Sequence, residues 1–217
     1  MTALRYTLLS EGSSDRSLLP ILTWLVRQNG VPPPIHPEWA DLRRLYEPPR
    51  RLHERIQTSV QLFPRELLFV HRDADNRPFD ERKEEIERAI SRAAEEADAQ
   101  PPAVCVVPVR MLEAWLLFDE GAIRSAAGNP RGRGSLSLPA LGTLENLPDP
   151  KANLREALRV ASGLSPHRRR SLRMEDCRPR ITELIDDFSS LRALPAFVTL
   201  EQDLKVVIEE NCWGGGG

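Results

Sequence analysis

Two aspartates one residue apart follow an apolar run in LLFVHRDADN, residues 67 to 76. Leu67 to Val70 read as a buried strand, which sets Asp73 and Asp75 at its carboxyl end. Open α/β sheets bind ligands just outside the carboxyl ends of their strands. Carboxylates held close together repel unless a proton or a cation separates them. A hard divalent cation with oxygen ligands does this economically. Aspartate is also a favoured turn residue, and a lone DxD would read better as a capped turn. This one has company.

Residues 4 to 9 (LRYTLL) form another apolar run, and SEGSSD follows it, so Glu11 also falls just past a strand end. Gly12 permits a tight turn there. Ser13 or Ser14 can cap the helix that starts near Asp15. Asp15 suits either a first-turn acid favoured by the helix dipole or a metal ligand. A third run, AVCVVPV at 103 to 109, ends at Arg110, and Glu113 lies three residues on. Parallel strands would converge these acids on one crevice. Carboxylates of this kind hold Mg²⁺ or Mn²⁺ by one or two direct ligands. Such an ion polarises phosphorus and activates water. Arg72, Arg110 and Lys151 are the cations available to offset charge on a phosphoryl transition state. Lys151 stands in PDPK where a helix should begin, and a cation there opposes the helix dipole. The plain alternative is an exposed surface lysine.

The elements that would position these residues alternate. A helix is predicted over 15 to 28, with Leu18, Leu19, Leu22, Leu25 and Val26 on one face, stopped by Gly30. A weak strand is expected within 35 to 45 and a helix over 51 to 62. Then follow a strand at 66 to 71, a charged helix over 79 to 98 and a strand at 103 to 109. This order predicts an α/β fold with a parallel sheet of about four strands flanked by helices. After Phe118 the pattern turns mainly helical, with short helices at 119 to 127, 151 to 162, 179 to 191 and 200 to 210. The Gly/Pro/Arg-rich stretch 128 to 139 reads as a binding loop or a solvated connector. The domain reading is 1 to 120, a helical extension over 121 to 213, and a glycine tail at 214 to 217.

Charged residues make up 29% of the 217 and apolar ones 41%, which fits a soluble globular chain and excludes disorder. A net charge of −2 gives no global signal for nucleic acid. Arginine clusters at Arg43, Arg44, Arg50 and Arg51, and at 167 to 170, could still serve phosphate locally. Three cysteines without metal spacing suit a reducing cytoplasm. No run is long enough to cross a membrane and none reads as a signal peptide. His71 reads as a satisfied structural histidine. A P-loop and a GxSxG elbow are both missing.

EGxxD after the first strand and DxD after a later one, in alternating βα order, resemble the Toprim domain over about residues 1 to 120. That domain is shared by topoisomerases, primases and the overcoming-lysogenization-defect nucleases. The resemblance implies that Glu11, Asp73 and Asp75 are catalytic and bind metal. It matches Asp15 to an extra acid of those nucleases. By order and type alone it places Glu113 as a later metal ligand and Lys151 as a catalytic lysine. The chain also looks like small stand-alone Toprim-like proteins of bacterial defence loci, which implies an ATPase partner and allows a homo-oligomer.

The leading expectation is therefore a Mg²⁺- or Mn²⁺-dependent nuclease acting on DNA or RNA as an anti-phage effector. The alternative is a non-catalytic subunit that regulates a defence ATPase. A DxD glycosyltransferase gives Glu11 no role. A dehalogenase-type phosphatase would need its DxD after the first strand.

Overall fold

The computed structural model describes residues 3–63, 65–96, 100–165 and 173–214. The basic stretch at 167 to 170 (HRRR) lies outside the described residues, as does most of the glycine tail. The chain divides into two compact units. The first comprises 1–107 and 199–217, the second 108–198.

The first unit is an α/β layer structure. Its strands are β1 (Leu4–Leu9), β2 (Ile35–Trp39), β3 (Leu67–His71) and β4 (Ala103–Val106), in the spatial order β2-β1-β3-β4. Every pairing is parallel. All five residues of β3 are buried, as a central strand covered on both faces requires. At the edge, β2 buries only Ile35 and carries a proline and a glutamate, which is why its sequence signal is weak.

Helix α1 (Leu18–Gln28) connects β1 to β2, α2 (Leu52–Leu62) connects β2 to β3, and α3 (Phe79–Glu95) connects β3 to β4. The direction of travel across the sheet reverses after β2. Right-handed crossovers then put α1 on one face and α2 with α3 on the other. Contacts agree. On one face the Tyr6 hydroxyl donates to Leu19 O at 2.9 Å, and its ring meets Phe69 edge-on at 5.1 Å. On the opposite face Leu9, Leu68, Val70 and Cys105 form one cluster with Ile56 of α2 and Ile86 of α3. Burial pushes the Cys105 thiol up to about 12, so it is a packing residue and not a nucleophile.

The chain returns to the first unit within its last helix, α7 (Pro195–Glu210). There Asp203 pairs with Lys83 at 2.9 Å and Glu201 accepts from the Asn29 side chain at 3.3 Å.

The second unit is mainly helical, with α4 (Glu120–Ala126), α5 (Pro150–Ala161), α6 (Met174–Leu184) and several 3-10 turns. Its core includes Trp115, which meets Phe197 edge-on at 5.3 Å. Asp119 and Asp149 cap α4 and α5 by accepting from Ala122 N and Ala152 N, each at 2.8 Å. The 128–139 stretch forms no regular element, but it is tied down: Leu136 is buried and Arg124 donates to Gly134 O. Helix α6 begins five residues before the expected start, so Pro179 lies inside it and not at its first turn. Among the described residues no helix is long and apolar enough to cross a membrane.

Candidate active site

Strand order reverses between β1 and β3, so their carboxyl ends flank the crevice where such sheets bind ligands. Leu9 pairs with Val70 in register. Two residues further along each strand stand Glu11 and Arg72, which form an ion pair at 2.6 Å. Strand spacing of about 5 Å makes this contact a consequence of register.

The turn carrying Glu11 is pinned by groups distant in sequence. Trp39 Nε1 donates to Ser10 Oγ at 2.9 Å, and Arg55 donates to Ser10 O at 2.5 Å. Burial pulls the Arg55 guanidinium below its usual value; the Glu11 charge opposes this and Arg72 adds to it. Arginine stays charged regardless, so Arg55 is a second cation beside Glu11.

Gly12 is extended, with φ of −125°, and precedes a 3-10 turn at Ser13–Ser17. The chain does turn at Gly12, whose O accepts from Asp15 N at 3.4 Å, but the glycine's conformation there is open to any residue. Neither Ser13 nor Ser14 caps the helix. Instead Asp15 Oδ2 accepts from Gly12 N at 2.8 Å, and Ser14 Oγ donates to Asp15 Oδ1 at 3.0 Å. A Cβ on Gly12 would meet nothing closer than Ser14 Oγ at 3.4 Å. Gly12→Ala is therefore expected to change stability by less than about 0.5 kcal/mol. Thermal unfolding checks this, and a loss of several degrees would show a hidden demand for glycine.

Asp15, Asp73 and His71 converge. His71 is buried, and its Nδ1 lies 2.9 Å from Val106 O, which places a proton on Nδ1. Its Nε2 then faces Asp15 Oδ2 at 3.9 Å and Asp73 Oδ1 at 3.7 Å. The expected structural histidine is thus hydrogen-bonded as predicted, and its second ring nitrogen also faces two of the candidate acids. Asp75 adopts a left-handed φ of 55°, which aspartate tolerates better than most residues, and its carboxylate lies 3.5 Å from Arg82. Arg72, Arg77 and Arg82 all reach Glu85 on α3, so a single carboxylate gathers three guanidiniums beside the acids.

Glu11, Asp15, Asp73 and Asp75 thus stand at the carboxyl ends of the two central strands. Glu113 and Lys151 belong to the second unit. Glu113 is buried in the 3-10 turn Leu112–Leu116 and accepts from Arg178 at 2.6 Å. Lys151 is exposed in the first turn of α5. The surface arginines Arg43 and Arg44 both pair with Asp41, and Arg43 lies over the Trp39 ring at 5.1 Å.

Among the described residues no group of three or more His, Cys, Asp or Glu side chains is arranged to hold a metal ion. Mg²⁺ does not require one: it is commonly bound by one or two carboxylates, with waters and substrate phosphate completing its shell. The chemistry of the four acids fits a hard ion, since every one offers oxygen. Two surface depressions of the first unit, one along α3 and one beside Trp39 and Arg44, include none of these acids.

Sequence reasoning missed Ser10, Arg55, Arg82 and Glu85. Each acts through a partner on another element, and no local spacing reports that. No family model, curated protein or solved structure matches the chain.

Proposed function

We propose that this chain is a Mg²⁺- or Mn²⁺-dependent nuclease that hydrolyses phosphodiester bonds of DNA or RNA. The observation that carries this reading is the meeting of acids from β1 and β3 at the point where strand order reverses, with arginines among them. Asp73 and Asp15, with Glu11, would hold the cation, and Asp75 stands beside them. When bound, the ion would polarise the phosphorus and lower the pKa of an attacking water. The bond to Val106 O orients the His71 ring so that its Nε2 faces both Asp15 and Asp73. Arg72 and Arg82 supply fork-shaped donors suited to phosphate oxygens. The resemblance adds Glu113 as a further ligand and Lys151 as a charge stabiliser. It also supports a Toprim-type family reading, a defence role in the cytoplasm and an ATPase partner. EGxxD and DxD on the strands flanking the switch point are consistent with that family.

The second reading is a non-catalytic partner of an ATPase. It draws on a different observation: Glu11, Asp75 and Glu113 each already face an arginine. Incubating the purified chain with labelled single- and double-stranded DNA and RNA, in Mg²⁺, Mn²⁺ or EDTA, separates the two. Cleavage that requires the cation is expected. Intact substrate throughout, together with stable capture of an ATPase, would favour the second reading.

A further inference from the structure

We propose that Arg72 is a phosphodiester-binding residue that occupies Glu11 when no substrate is present, so that anion binding at Arg72 and cation binding at Glu11 are coupled. This rests on the metal-dependent reading above and specifies how that site is controlled. Arg72 Nη2 lies 2.6 Å from Glu11 Oε1, and its Nη1 holds Glu85. A carboxylate gripped this closely by a guanidinium cannot ligate a divalent cation without bringing two positive groups together. With Arg72 in place cation binding at Glu11 is weakened, and its departure relieves the repulsion.

Three features make departure feasible. The pair is at the surface, with side-chain exposures of 23% for Arg72 and 43% for Glu11, so substrate can reach it. The Nε of Arg72 is buried without an acceptor among the described residues, so the guanidinium has an unused donor in its present seat. Glu85 retains one edge of the guanidinium, and its grip on Arg77 and Arg82 does not depend on Glu11. The group can turn from Glu11 to an incoming phosphate without being released altogether. A phosphodiester offers the fork a matching pair of oxygens and carries the negative charge that Glu11 had provided. Glu11 is then free for the cation. By linkage, each ligand must tighten the other by the same factor.

The test measures Mn²⁺ binding by the electron paramagnetic resonance of the free ion. It uses the full chain, with and without thymidylyl-thymidine, which carries one phosphodiester. Wild type, Arg72→Gln, Glu11→Gln and the double variant form a cycle. Without dinucleotide, Arg72→Gln is expected to tighten Mn²⁺ about 1.5- to fivefold when Glu11 is present, from the size of a partly exposed pair. In the Glu11→Gln background the same change should have no effect. The dinucleotide should tighten Mn²⁺ in wild type and lose that effect in Arg72→Gln. Arg72→Lys keeps the charge without the fork and should fall between, which guards against a folding defect in Arg72→Gln. Equal tightening in both backgrounds would reduce Arg72 to a general charge and overturn the coupling, as would undiminished dinucleotide tightening in Arg72→Gln. Absence of Mn²⁺ binding by every form, with or without dinucleotide, would overturn the metal-dependent reading itself and the coupling with it.

Discussion

Asp73→Asn is expected to abolish cation-dependent cleavage while leaving the chain as stable as wild type, or more so. The substitution preserves shape and removes one charge. Asp73 Oδ1 and Asp15 Oδ2 both face His71 Nε2, so two acids share a small space. Removing one of two neighbouring like charges relieves repulsion in the folded state. Function should move the other way. Outer partners of metal ligands typically cost about ten- to a hundredfold when mutated, so a direct ligand should cost more than about a hundredfold. The measurements are cleavage rate in Mn²⁺ and the midpoint of thermal unfolding on the same preparation. Lost activity at an unchanged or raised midpoint fits a site whose charges are held together for function. Wild-type cleavage by Asp73→Asn would remove Asp73 from the mechanism. A large fall in midpoint would instead make it a structural partner of His71.

The strands that carry these acids were legible because each apolar run is closed by a burst of polar residues, SEGSSD after β1 and HRDADN after β3. Parallel pairing followed from alternation with helices, and the four-stranded sheet agrees. The expected strand at 103 to 109 ends at Val106, since Pro108 and the left-handed Arg110 break the extended run. The expected start of helix α6 fell on Pro179, a residue favoured in the first turn of a helix and disfavoured inside one. Here burial of Cys177, Arg178 and Ile181 holds a helix that continues through Pro179. Tertiary packing overrode the local rule. The charge partners were hidden for another reason. Arg55 reaches Ser10 across 45 residues, and Arg178 reaches Glu113 across 65. Residue type proposes an ionic group, but only the fold says whether its counter-ion is a metal or an arginine.

Glu113 puts that choice to a direct test. Glu113→Ala is expected to destabilise the second unit by about 3–5 kcal/mol, since removing one member of a buried pair leaves the other charge uncompensated. The side chains of Glu113 and Arg178 are only 4% and 11% exposed, so water cannot take over. In a unit of this size the loss would lower the unfolding midpoint by more than about 10 °C. Replacing both residues, as Glu113→Leu with Arg178→Met, should recover most of that stability, because apolar groups of similar volume remove the stranded charge. The resemblance predicts something different: a metal ligand whose loss lowers Mn²⁺ affinity at full stability. A low midpoint rescued by the double replacement, with Mn²⁺ binding retained in the rescued form, would assign Glu113 to the core of the second unit. A normal midpoint with weakened Mn²⁺ binding would show that the Arg178 pair is a resting state, broken when the ion is bound. Glu113 would then obey the same logic as Glu11, with an arginine keeping the place of a cation.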